Sequence, residues 1–228
     1  MNRRGCHHDP YVVNKKSVSW FQRRLLAWGR SNRRSFPWRE IEADEPWRVL
    51  VAEVLLQRSR GKTVAKVYEE LFRRWPDAAA LGRAREASIA SVIRPLGLVR
   101  RASTLRAMAR EVDRNGRVPA DSEGLMALPG VGRYAANATL VVGFGKRAPV
   151  VDGVTARVYR RYLGLVSDLP ATADPGLWNA VDEVTPRGAS REWNWAVLDL
   201  ASEVCLPLRP RCGDCPLVER CAYASEVA

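Results

Sequence analysis

Four of the five cysteines stand in the last quarter of the chain, as Cys205-x6-Cys212-x2-Cys215-x5-Cys221. Four thiolates within 17 positions can enclose one metal centre. Thiolate-only sites suit zinc or an iron–sulfur cluster. Zinc modules more often pair two C-x2-C units. Here only Cys212 and Cys215 form such a pair, and the uneven spacing lets a single loop wrap a larger cube. Pro207, Pro210 and Pro216 stiffen that loop, and Arg209, Arg211 and Arg220 give it positive charge. The plain alternative is a set of unligated buried thiols. Cys6 stands apart, beside His7 and His8, in the first 15 residues, which read as a loose tail.

The 228 residues are 46% hydrophobic and 27% charged. That balance fits a folded globular chain and excludes disorder, collagen and coiled coil. The length allows one large domain or two lobes. No apolar run reaches the roughly 18 residues that a membrane span needs. The start, MNRRGCHHDPYVV, is basic without an apolar signal segment, so a cytoplasmic, nucleoid-associated protein is expected. The formal net charge is +12. On a folded chain this points to a polyanionic partner, usually nucleic acid. Only five of the 37 basic side chains are Lys (15, 16, 62, 66 and 146), and the rest are Arg, whose fork grips phosphate bidentately. A membrane surface is the other basic option, but no long basic helix with a clean apolar face supports it.

Apolar spacing predicts helices throughout. Val67, Tyr68, Leu71, Phe72 and Trp75 share one face, as do Leu105, Met108, Ala109 and Val112, and Trp193, Val197, Leu200, Ala201 and Val204. Sustained period-two alternation is missing, so a sheet is not expected. In the stretch from Trp47 to Arg60, Trp47, Leu50, Val51, Val54 and Leu55 form an apolar stripe. Glu53, Gln57 and Arg60 then share a face that borders the core. The bland reading is a solvated face with a local charge pair.

Two further motifs carry chemistry. Leu128-Pro129-Gly130-Val131-Gly132-Arg133-Tyr134 lies between a short helix around 122–127 and a longer one over 134–144. Its glycines allow a tight hairpin whose backbone amides can approach a phosphate at the start of the second helix. An ordinary interhelical turn is the alternative. In Val150-Val151-Asp152-Gly153-Val154-Thr155-Ala156-Arg157, an apolar loop delivers Asp152 to the start of a helix. Asp is a preferred cap, and a helix start also favours an ionised carboxylate.

In this order, from Phe36-Pro37-Trp38-Arg39 to Cys221, these motifs resemble the helix-hairpin-helix (HhH-GPD) DNA glycosylases with a four-cysteine iron–sulfur loop. The resemblance implies an all-α fold of two lobes with double-stranded DNA between them. One lobe, 43–150, is a six-helix barrel carrying the hairpin. The other, 16–42 with 151–228, holds a [4Fe–4S] cluster on Cys205, Cys212, Cys215 and Cys221. Endonuclease III-like members place a Lys after the hairpin as a Schiff-base nucleophile. Tyr134 stands there and cannot form an imine, which implies a monofunctional enzyme with weak or no lyase activity. Tyr at that place resembles the thymine mismatch glycosylases, whereas the adenine enzymes usually have Ser. Ala52-Glu53-Val54-Leu55-Leu56-Gln57-Arg58-Ser59 is similar to both mismatch groups and nearer the thymine one. The sequence runs only a few residues past Cys221, and a chain without the 8-oxoguanine-reading domain common in adenine glycosylases is expected.

Base excision repair of T or U opposite G is therefore expected, by a monomer acting on a mispaired base flipped from the duplex. The alternatives are an adenine glycosylase, acting opposite 8-oxoG or G, and a non-catalytic lesion-binding module. The implied catalytic set is Asp152, Glu53 and Tyr134. The implied DNA contacts are Gln57, Arg58, Ser59, Leu98, Gly130, Val131, Gly132 and Arg133, with Gln57 and Leu98 wedging the gap. One departure matters. Relatives usually carry Asn or His two residues after the Asp, and this chain has Val154. The polar partner that orients Asp152 must then come from elsewhere, or the substrate preference shifts.

Overall fold

The structure is a computed structural model, and it describes residues 15–40 and 45–227. Cys6, His7 and His8 lie outside the described residues. The α-helices, in chain order, are α1 (Lys15–Ser31), α2 (Pro46–Leu56), α3 (Gly61–Arg74), α4 (Ala78–Arg83), α5 (Glu86–Ile93), α6 (Arg101–Arg114), α7 (Ser122–Met126), α8 (Arg133–Phe144), α9 (Gly153–Leu163), α10 (Pro175–Val184), α11 (Ser190–Glu203) and α12 (Ala222–Val227). Short 3-10 turns punctuate them, and no strand occurs among the described residues. None of these helices is long and apolar enough to cross a membrane.

The chain divides into two compact units. One is Ser35–Lys146. The other joins the described residues up to Arg34 with those from Arg147 onward.

In the first unit, α2 packs on α8 and α4 on α6. Pro46 starts α2 at a position where its missing N–H costs nothing. Every residue of α2 from Val49 to Leu55 is buried, so this helix runs through the interior rather than lying amphipathically on it. Its approach to α8 requires Gly143, where a Cβ would lie 2.7 Å from the Cα of Pro46. The expected stripes of α3 and α6 are in this core, with Leu71, Leu105 and Met108 fully buried.

In the second unit, α1 packs on α11 and α9 on α11. Trp193 is fully buried at its centre, edge-on to Phe21 with ring centroids 4.8 Å apart. Phe21 stacks on Tyr162 at 4.1 Å. Asp199, buried on α11, holds the end of the α1 segment through Arg34 Nε at 2.6 Å.

Candidate functional site

The end of α2 differs from the sequence expectation. The helix stops at Leu56. Gln57 leaves it with φ −53° and ψ 115°, and Arg58 turns left-handed at φ 56°. Gln57 and Arg60 therefore do not continue the face of Glu53. The physical cause is Arg101, at the start of α6, which is only 9% exposed. Its guanidinium donates to the Leu55 carbonyl at 2.8 Å, to the Gln57 carbonyl, and to Ser59 Oγ at 3.3 Å. Those bonds satisfy carbonyls that the ended helix leaves open. Burial lowers the Arg101 pKa.

Glu53 is 8% exposed within α2, so the solvated-face reading does not hold. Gln57 is exposed, and its side-chain amide donates to the carbonyl of Gly130 at 2.9 Å. Arg58 is exposed and Ser59 half-buried. The helix end and the hairpin, which sequence reading treated separately, are thus one construction.

The hairpin joins α7 to α8. Asp121 caps α7, its carboxylate accepting from Gly124 N–H at 2.8 Å. Leu128 and Val131 bury their side chains, and Val131 donates its amide to Leu128 O at 3.2 Å. They anchor the turn, while Gly130 and Gly132 are exposed. Gly130 sits at φ 77°, and any Cβ there would collide with the Thr104 methyl. Gly132 is the N-cap of α8 and brings no side-chain cap. Arg133 is exposed in the first turn, and Tyr134 is half-buried against the core of this unit. Leu98 follows the left-handed Gly97 and is 38% exposed beside Val99.

In the other unit, Asp152 is the N-cap of α9. Its Oδ1 accepts from the amides of Val154 at 2.9 Å and Thr155 at 2.7 Å, and from the Thr155 hydroxyl at 2.9 Å. Among the described residues, Oδ2 takes no hydrogen bond. Asp152 is half-buried, so a capping carboxylate keeps a reachable oxygen. Its charge adds to burial in raising the phenol of Tyr159, a fully buried residue of α9.

The four cysteines line one cleft together with Arg161, Val204, Pro210 and Tyr223. None is in a disulfide. Arg161, on α9, donates to Leu206 O and Pro207 O, both at 2.7 Å, and reaches Cys205 Sγ at 3.5 Å. Arg157 donates to Cys205 O at 2.8 Å. Burial pushes the Cys215 thiol up to about 11, and the neighbouring cysteines add to it. Burial raises the Cys221 thiol as well. Among the described residues, no three His, Cys, Asp or Glu side chains stand close enough to share a single metal ion.

Sequence reasoning missed Arg101, Thr155, Arg157 and Arg161. Arg101 gave a faint signal, an Arg directly preceding the apolar face of α6. Thr155 gave a clearer one, a hydroxyl residue three positions after a capping Asp.

Residues 51–174 match the HhH-GPD superfamily of base excision DNA repair proteins. The chain is 36% identical to a thymine-DNA glycosylase from Aeropyrum pernix over 92% of its own length and 97% of the relative's. It is 35% identical to an adenine DNA glycosylase from Mycobacterium tuberculosis, over 94% of its length and 70% of the relative's. Among solved structures, a thermostable thymine-DNA glycosylase superposes with a TM-score of 0.87 at 31% identity, covering 92% of this chain and 98% of the other. With its all-helical architecture, its hairpin and its capping Asp152, the chain belongs to the HhH-GPD superfamily of base excision DNA repair proteins.

Proposed function

We propose that this protein is a monofunctional DNA glycosylase that releases T, and also U, mispaired with G, acting as a monomer on double-stranded DNA. The observation that carries the reading is the Asp152 carboxylate, with three donors on one oxygen and the other oxygen uncommitted. Cleavage of the N–C1′ bond leaves an electron-poor, oxocarbenium-like deoxyribose. A fixed carboxylate oxygen stabilises that charge best when it needs no reorganisation. The electron pair of the broken bond departs with the base. Water then supplies OH to C1′ and a proton to the base.

The base has to leave the stack first, and a mispaired one does so at lower cost. Gln57 and Leu98, both exposed, fill the vacated gap, while Gly130, Val131, Gly132 and Arg133 hold the backbone, with Arg58 and Ser59 beside them. Glu53 bonds the extruded base and Tyr134 stacks beside it. Tyr134 in place of an amine supports the absence of an imine step. The thymine-DNA glycosylase similarity supports the pyrimidine reading.

We infer a [4Fe–4S] cluster that Cys205, Cys212, Cys215 and Cys221 would hold; the shared lining of these four thiols, none in a disulfide, supports it. Such a cluster supplies a charged structural centre that fixes the loop and its arginines.

A second reading, adenine release opposite 8-oxoG or G, is favoured by the similarity to an adenine glycosylase and by Glu53, a carboxyl able to protonate a purine. Duplexes carrying G·T, G·U and A·8-oxoG, incubated with the protein and then cut with alkali, decide between them. Cleavage at T and U is expected. Cleavage solely at the adenine opposite 8-oxoG replaces the first reading with the second.

A further inference from the structure

We infer that Thr155 is the positioning residue for Asp152, doing through its hydroxyl what the chain's apolar Val154 cannot. This rests on the reading that the Asp152 carboxylate faces the sugar.

The observations concern one short stretch. The Thr155 hydroxyl accepts the backbone N–H of Asp152 at 2.9 Å and donates to Asp152 Oδ1 at 2.9 Å. The same residue's amide donates to Oδ1 at 2.7 Å. Thr155 thus grips both the backbone and the side chain of Asp152. In an ordinary capping box a long Glu or Gln reaches back to the cap's amide, and only a backbone N–H holds the cap's side chain. The short hydroxyl here closes both halves at once. Capping amides alone would leave the carboxylate free to rock about its last torsion, which is soft. A third donor from the buried side removes that freedom.

Location makes the bond dependable. Thr155 is 1% exposed, so water does not compete for its hydroxyl. A β-branched side chain is also stiff at χ1, which limits the directions in which the hydroxyl can point. Val154 is 38% exposed and offers the carboxylate nothing but its backbone amide. A polar side chain at 154 would have to orient Asp152 from the wet side. The orienting group has instead moved one residue along, onto the inner face of α9. The exposed place beside the carboxylate is then free to be apolar.

The test uses the full chain with Thr155→Val, Thr155→Ala and Thr155→Ser. Two quantities are read on the duplex that the wild-type protein processes: the single-turnover rate of base release with enzyme in excess, and the Kd. Loss of the hydroxyl should slow release roughly 10- to 100-fold, the range set by a charged hydrogen bond and a misplaced reacting group. Kd should stay within about twofold, and Thr155→Ser should recover most of the rate. Thr155→Ala carries the measurement if Thr155→Val does not fold. An Asp152→Asn, Thr155→Val double variant should be no slower than Asp152→Asn alone.

Wild-type rates in both hydroxyl-free variants, alongside an inactive Asp152→Asn, would overturn the inference and leave the role of Asp152 standing. A further drop in the double variant would overturn it too, because Thr155 would then act by another route. An active Asp152→Asn would instead remove the reading on which the inference rests.

Discussion

Gln57 donates its side-chain amide to the carbonyl of Gly130 at 2.9 Å, so the residue that follows α2 is tied to the turn that opens α8. Arg101 fixes the near end of this tie by bonding the carbonyls of Leu55 and Gln57. A guanidinium at that place makes the left-handed turn at Arg58 affordable to the backbone.

Arg101→Met should therefore act at two levels. The aliphatic stem keeps its packing, but the buried Leu55 carbonyl, the part-buried Gln57 carbonyl and Ser59 lose their donor. An unsatisfied buried carbonyl costs about 1–3 kcal/mol when nothing replaces the bond, so the midpoint of thermal unfolding should fall by roughly 2–12 °C for a chain of this size. DNA affinity should fall as well, since Gln57 loses its fixed start. Calorimetry and a fluorescence-anisotropy titration check the two effects. A variant with unchanged melting and weaker binding would separate them.

The fold class was legible because helical spacing and proline punctuation recur along the chain. The stripes of α3, α6 and α11 fall on buried residues, apart from Trp75, which follows α3 and is half-buried. The end of α2 was not legible. Periodicity extends a helix until a breaker stops it, and no Gly or Pro stands between Pro46 and Gly61. What ends α2 at Leu56 is a guanidinium 45 residues away in sequence, and local pattern cannot contain it. Asp152 was readable as a cap because capping is local. The bond from the Thr155 hydroxyl to Asp152 Oδ1 was not legible, because it depends on a side-chain rotamer that local sequence does not fix.

The cysteine loop predicts a stability effect that is separable from chemistry. Three of its anchors come from side chains of α9 and α1: Arg157 to Cys205 O at 2.8 Å, Arg161 to Leu206 O at 2.7 Å, and Arg24 to Pro216 O at 3.3 Å. Protein prepared anaerobically should carry iron and acid-labile sulfide in equal amounts. Cys215→Ser should lose both and melt at lower temperature, by an amount typical of losing a structural metal centre. Metal analysis giving stoichiometric zinc and no sulfide would assign the loop to the other thiolate chemistry.

Placing an amine after the hairpin tests the reading of Tyr134. Tyr134 occupies the first turn of α8, half-buried. A lysine there can attack C1′ of the sugar and form an imine once its ammonium loses a proton. Tyr134→Lys should thus yield a borohydride-trapped protein–DNA adduct on a duplex from which the base has been released, and the unsubstituted protein should yield none. Base release itself should slow, because the aromatic face beside the base is lost. An adduct with the Tyr134 protein would mean that another amine already serves as a nucleophile.

Backbone binding has its own signature, set by charge rather than by fit. With a net charge of +12 and Arg58 and Arg133 exposed, phosphate contacts through these side chains are expected. Each neutralised phosphate releases about 0.9 of a counterion, so roughly five contacts give a log–log slope of affinity against salt of about −4 to −5. Arg133→Ala should reduce the slope by about one and weaken matched and mismatched duplexes alike. Leu98→Ala is the counterpart, because Leu98 carries no charge and, on the proposed reading, fills the gap left by the base. It should leave the slope unchanged and lower affinity for the mismatched duplex alone. If Arg133→Ala altered discrimination while the slope stayed fixed, the hairpin would be reading the base rather than the backbone.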